Sequence, residues 1–117
     1  MTGKPKLALY WAASCGGCEI AVLDIKEKIL DVDAFFDIVL WPVAVDFKVK
    51  DVEAMEDDEI DLCLFNGAVR TSDNEYMADL LRRKSKTLVA FGSCACEGCI
   101  PALSNTTTKA ATLEWAF

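Results

Sequence analysis

The sequence contains no histidine. That absence excludes zinc sites built from mixed cysteine and histidine, histidine acid-base catalysis and the cysteine-histidine nucleophile pair. Chemistry must therefore run through thiolates, carboxylates or a bound cofactor. Apolar runs long enough to span a bilayer are also missing. Although 53% of the residues are hydrophobic, charges around positions 24–31, 56–59 and 82–84 break each run before it reaches the ~18 residues that a span needs. The start, MTGKPKLALYWAASC, is basic with a short apolar stretch, but no export pattern follows it. These features predict a soluble, cytoplasmic chain with no membrane partner. A positive balance is lacking as well: 12 Lys and Arg stand against 19 Asp and Glu, a net charge of −7. Attraction to phosphates needs a basic face, so nucleic acid is excluded as a partner. The cluster Arg82-Arg83-Lys84, with Lys86 beyond, fits a helix C-terminus, where cations oppose the helix dipole. Repeats, low-complexity tracts and internal linkers are absent, and residues 1–117 read as one domain.

Six cysteines are what the chain does have. In a reducing compartment they point to metal or catalytic sites rather than a disulfide framework. LALYWA (7–12) is a candidate strand, and a helical stripe follows at once: Cys18, Val22, Ile25 and Ile29, with Asp24, Glu27, Lys28 and Asp31 opposite. FFDIVLWP (35–42), IDLCLFNG (60–67) and TLVAFG (87–92) are three further strands. Residues 46–59 form an exposed connection with one helical turn near Val52 to Met55. Ser72, with Glu75 three residues on, predicts a capped helix that buries Met77, Leu80 and Leu81. A short helix is expected from about Thr107, and the aromatic end, Trp115-Ala116-Phe117, has the character of a cut.

Near-continuous apolar strands alternating with helices predict an α/β fold, an open parallel sheet with flanking helices of flavodoxin-like type. Ligands of such sheets gather at the carboxyl ends of the strands. Those ends carry Ser14-Cys15-Gly16-Gly17-Cys18, Asn66-Gly67-Ala68 and Gly92-Ser93-Cys94-Ala95-Cys96. On a starting helix, Cys15 and Cys18 point roughly the same way, about 5–6 Å apart at the β-carbons. Glycines 16 and 17 leave both sulfurs open to approach and let backbone amides turn toward them, which favours the thiolate. The pair alone serves a redox disulfide, half a metal site or two buried thiols. The second group, Cys94, Cys96 and Cys99, favours a metal reading, because a thiol-disulfide enzyme needs a single pair. Its spacing is not that of a zinc ribbon, so an iron-sulfur site is favoured. Cys63, between Leu62 and Leu64, is expected in the core. Glu19 is a helix-start acid or a proton-handling carboxylate at a subunit interface. Trp11 and Trp41 are expected in core or interface.

Four segments, SCGGCE, NGAVRTSDNE, LLRRKSKTLVAFGSCA and GCIPALSN, together resemble the small subunit of nickel-iron hydrogenases. The resemblance is closest to the cytoplasmic methyl-viologen-reducing type that serves heterodisulfide reductase, and runs from about Leu7 to the end. It implies an electron-transfer subunit holding a 4Fe-4S cluster next to the nickel-iron centre of a large subunit, and passing electrons to a downstream subunit such as that of heterodisulfide reductase. Cys15 and Cys18 match the first two ligands and Cys94 the third. The family's fourth ligand lies in a Cys-Pro-Pro type segment that these residues do not contain, and the family usually has glycine at Cys99. The resemblance therefore implies a fragment of a longer subunit, with Cys96 or Cys99 as local alternatives for the fourth ligand. Gly16, Gly17, Glu19, Asn66, Gly67, Ala68, Arg70, Gly92 and Ser93 are expected to shape the pocket or an interface rather than catalyse. Competing readings are a thioredoxin-like oxidoreductase using Cys15 and Cys18, and a scaffold of the same fold without a cluster.

Overall fold

Four strands, β1 (Lys6–Trp11), β2 (Asp37–Leu40), β3 (Ile60–Asn66) and β4 (Ser85–Phe91), form one parallel sheet in the order β2-β1-β3-β4. The computed structural model describes residues 3–46 and 48–117; Met1 and Thr2 of the basic start and Phe47 of the expected exposed connection lie outside the described residues. Helices α1 (Gly17–Leu23), α2 (Ile29–Phe35), α3 (Val49–Glu53), α4 (Ser72–Lys84), α5 (Ser93–Glu97) and α6 (Lys109–Ala116) complete the chain, with 3-10 turns at Lys26–Lys28 and Pro101–Thr106. This is the expected α/β sheet.

Strand β4, at the edge, is partly exposed, whereas the central strands β1 and β3 bury both their faces. On one, Leu7, Leu9 and Trp41 pack with Leu62 and Leu64 against Val22, Ile29 and Val32 of α1 and α2. On the other, Cys63 and Phe65 pack against Val52 of α3 and Met77, Leu80 and Leu81 of α4. Full burial of side chains of this size stabilises by about 1.5–3 kcal/mol each, which fixes the helices to the sheet. Trp41 is core, as one of the two expectations had it, and Val52 is wholly buried although its segment was expected to be exposed.

Several boundaries depart from expectation for physical reasons. The predicted stripe from Cys18 to Ile29 is broken into two helices, because Lys26 adopts a left-handed φ of 57° that redirects the chain. Ile25 is exposed as a result. Phe35 ends α2 instead of opening β2. The α4 cap is Thr71 rather than Ser72: its Oγ1 accepts from the Asn74 amide at 3.2 Å, and its own amide donates to Asn74 Oδ1 at 3.2 Å. Asn74 thereby performs the reciprocal role expected of Glu75. The basic cluster ends α4 as expected, with Arg82, Arg83 and Lys84 in its last turn. Thr108 caps α6, its hydroxyl accepting from Ala111 N at 3.1 Å. Trp115 and Phe117 are 91% and 101% exposed.

Candidate iron-sulfur site at the carboxyl edge of the sheet

Parallel pairing places the last residues of three strands in one row, because Asn66 of β3 is in register with Trp11 of β1 and with Phe91 of β4. The loops leaving β1 and β4 carry five of the six cysteines just beyond this row, as expected from the sequence. The loop after β3 is tied to the loop after β1. Ala13 N donates to Ala68 O at 3.0 Å, and Ala68 N to Ala13 O at 2.9 Å. Gly67 makes this junction possible, since at its φ of 103° a Cβ would lie 2.8 Å from the Ala13 nitrogen.

The turn from Ser14 to Cys18 is built over Trp11. The indole N–H donates to Ser14 O at 3.2 Å, and the ring lies where a side chain at Gly16 would project. Gly17 N donates to Cys15 Sγ at 3.4 Å, so the expected amide on a thiol is present. Cys15 is exposed, and Cys18, the second residue of α1, is half-buried. Cys18 reaches across the end of β3 to the end of β4. A Cβ at Gly92 would sit 2.3 Å from Cys18 Sγ, and the φ of Gly92 is 90°. Glycine there leaves room for the sulfur that any side chain would remove.

Cys94, the second residue of α5, is the half-buried thiol of the second group. Partial burial, a contact with the Cys99 thiol and the nearby Cys15 and Cys18 sulfurs hold its pKa above the ordinary value. Four thiols from both groups thus share one electrostatic neighbourhood. Cys96 does not join them: its Sγ donates to Ala90 O at 3.3 Å. Cys99 sits in a left-handed turn at φ 45°, directly after Gly98 at φ 91°. No three side chains among the described residues converge tightly enough to hold a single metal ion. A cubane cluster makes a different demand, since its thiolates bind separate iron corners and stand apart from one another.

Other expected residues divide. Gly16, Gly17, Gly67 and Gly92 all stand where the site is shaped, and Ser93 opens α5 beside Cys94. Arg70 is exposed, and its backbone amide donates to Asn74 Oδ1 at the α4 cap at 3.3 Å. Glu19 is 2% exposed; its Oε2 accepts from the Trp41 indole, and its Oε1 has no partner. Burial and the bond to Trp41 set Glu19 apart from a solvated helix-start acid. The Glu19–Trp41 pair escaped sequence reasoning, because acid residues at helix starts are ordinarily solvated. Asn66 is 1% exposed, and neither of its amide atoms has a partner. Cys63 is core, as expected.

Residues 15–115 match the family described as NADH ubiquinone oxidoreductase, 20 Kd subunit. The chain belongs to that family. It is 46% identical over 86% of its length to the iron-sulfur subunit of the F420-non-reducing hydrogenase of Archaeoglobus profundus, covering 32% of that protein. It is 32% identical over its whole length to a subunit of the F420-non-reducing hydrogenase of Methanothermobacter thermautotrophicus, covering 36% of it. The fold is also that of a chain in a crystal structure of an NAD+-reducing nickel-iron hydrogenase in the H2-reduced state. That match has a TM-score of 0.84 at 28% identity and covers 97% of this chain and 60% of the other. The chain therefore spans about a third of the length of the curated relatives it matches, and those relatives are hydrogenase subunits. The hydrogenase-subunit resemblance drawn from the sequence is borne out.

Proposed function

We propose that this chain is the cluster-binding part of a hydrogenase electron-transfer subunit, with Cys15, Cys18 and Cys94 as ligands of a 4Fe-4S cluster. The observation that carries this reading is the meeting of two cysteine groups, 15/18 and 94/99, at one edge of a sheet whose fold is that of a hydrogenase chain. The fit is supported by the space that Gly92 leaves at Cys18 Sγ and by a buried polar side chain, Asn66, without a partner at the same strand ends. Cys99, in contact with Cys94, is the local candidate for the fourth position, and a cysteine outside these residues is the other. Cys96 is assigned no iron, since its thiol is directed to Ala90.

When bound, such a cluster supplies one-electron transfer at a potential set by the groups around it. The chain's own part is to hold the thiolates apart at fixed positions, to aim the Gly17 amide at Cys15, and to limit solvent at Cys18 and Cys94. A nickel-iron large subunit is the proposed electron donor. A further subunit is the acceptor, with heterodisulfide reductase as the candidate that the sequence resemblance favours. No helix among the described residues is long and apolar enough to cross a membrane, and the proposed location is cytoplasmic, as the sequence resemblance implies.

Iron and acid-labile sulfide in the anaerobically purified complex, with an electron paramagnetic resonance spectrum after dithionite reduction, test the proposal. Where this cluster's share is isolated by comparison with Cys15→Ser and Cys94→Ser, about four of each per chain are expected to be lost. Retention of iron in both variants would remove the cluster from this chain. Thiol-disulfide activity that needs Cys15 and tolerates Cys94→Ser would assign the pair to thiol chemistry instead.

A further inference from the structure

The buried polar groups that lack partners among the described residues are Glu19 Oε1, both side-chain amide atoms of Asn66 and Ser85 Oγ. Asn66 is the one of these with neither side-chain polar atom paired and with a donor to offer. An amide can make up to four hydrogen bonds, and leaving a buried donor or acceptor unpaired is destabilising. Such a group calls for an occupant that the protein chain itself does not provide.

Its position says which occupant. Asn66 is the last residue of β3, flanked in register by Trp11 and Phe91. Paired residues of parallel strands project to the same face, and on this sheet that face, shared with Leu62 and Leu64, is the one covered by α1. The turn that carries Cys15 lies on the Trp11 ring at one side of Asn66. At the other side, Cys18 Sγ meets Gly92, the residue after Phe91. The amide therefore stands between the two supports of the proposed ligand turn, at the centre of the row from which all the candidate thiols extend.

We infer that the Asn66 side-chain amide donates a hydrogen bond to a sulfur of the bound cluster and raises its reduction potential. The inference rests on the cluster reading above and assigns the property to a side chain outside the thiolate set. Hydrogen bonds to cluster sulfurs stabilise the more negative, reduced state. A neutral amide provides this donor without adding a buried charge.

The test uses the complete subunit in its hydrogenase complex. Pulsed electron paramagnetic resonance of the dithionite-reduced cluster, prepared with 15N-asparagine, is expected to show a 15N coupling that disappears in Asn66→Leu. A redox titration of the same signal is expected to move to more negative potential, with the reduced-to-oxidised ratio at fixed poise falling about 3- to 10-fold, the size of one ordinary hydrogen bond. Absence of the coupling in the unsubstituted protein overturns the inference, even if Asn66→Leu fails to fold or load. An unchanged potential in a loaded Asn66→Leu, with only thermal stability lost, reduces Asn66 to a packing group and overturns it equally. Iron lost from neither Cys15→Ser nor Cys94→Ser defeats the cluster reading itself, a result distinct from both.

Discussion

Cys63 and Cys96 show how environment separates chemically identical residues. Cys63 is wholly buried in β3, and burial pushes its thiol up to about 12, so it carries almost no thiolate near neutral pH. Cys96 is exposed. Iodoacetamide at about pH 8 is therefore expected to label Cys96 and spare Cys63 in the folded protein. Peptide mass spectrometry reads the result, and a labelled Cys63 would contradict the burial. The role of Cys63 was legible because it interrupts an apolar strand without a polar neighbour. The division between Cys96 and Cys99 was not legible. It depends on the left-handed turn at Gly98 and Cys99, and cysteine spacing does not encode that turn. Asn66 left a faint signal, as a polar residue closing the run IDLCLF. Its complete burial, however, follows from the neighbouring strand ends and the turn over them.

At the scale of elements, the alternation of strands and helices was readable from apolar runs and their punctuation, whereas the exact joints were not. The break after α1 carries neither glycine nor proline to announce it, only Lys26 in a conformation that lysine seldom adopts. The start of α4 depends on which hydroxyl caps it, and Thr71 and Ser72 are equally plausible in composition. The structure distinguishes them by consequence. Thr71→Ala is expected to destabilise the protein by about 0.5–2 kcal/mol through the lost bond to Asn74 N. Ser72→Ala, inside the first turn, should stay within about 0.5 kcal/mol. Denaturant unfolding of both variants decides the matter, and equal losses would refute the assigned cap.

Across the whole molecule, the two edges of the sheet do different work. The amino edge is held by charge: Lys6 pairs with Glu59, its amide donates to Asp61 Oδ2 at 2.8 Å, and Lys86 Nζ meets Asp61 Oδ1 at 2.7 Å. The Lys6 hydrogen bond holds Glu59 below its ordinary 4.5, and that of Lys86 holds Asp61 below 3.8. Carboxylates with depressed folded values stabilise the fold above their unfolded values and lose that contribution as pH falls through the folded ones. Acid below about pH 4.5 should therefore lower the melting temperature, and Glu59→Gln should flatten the dependence. The effect is small because both groups lie near solvent. A slope unaltered by the substitution would exclude Glu59 as its source. Among the described residues the carboxyl edge bears no such network, and it carries the thiols.

Between β1 and β4 lies β3, and that insertion governs the order of events as the chain matures. The Cys15–Cys18 turn emerges early in synthesis, but its counterpart at Cys94 reaches it only after β3 has paired between β1 and β4. Contacts so distant in sequence are slow to form, because the loop between them must close first. The thiols on the β1 loop thus wait for β3 and β4 to be laid down. The proposed cluster, which needs both groups, is expected to load after these four strands have paired.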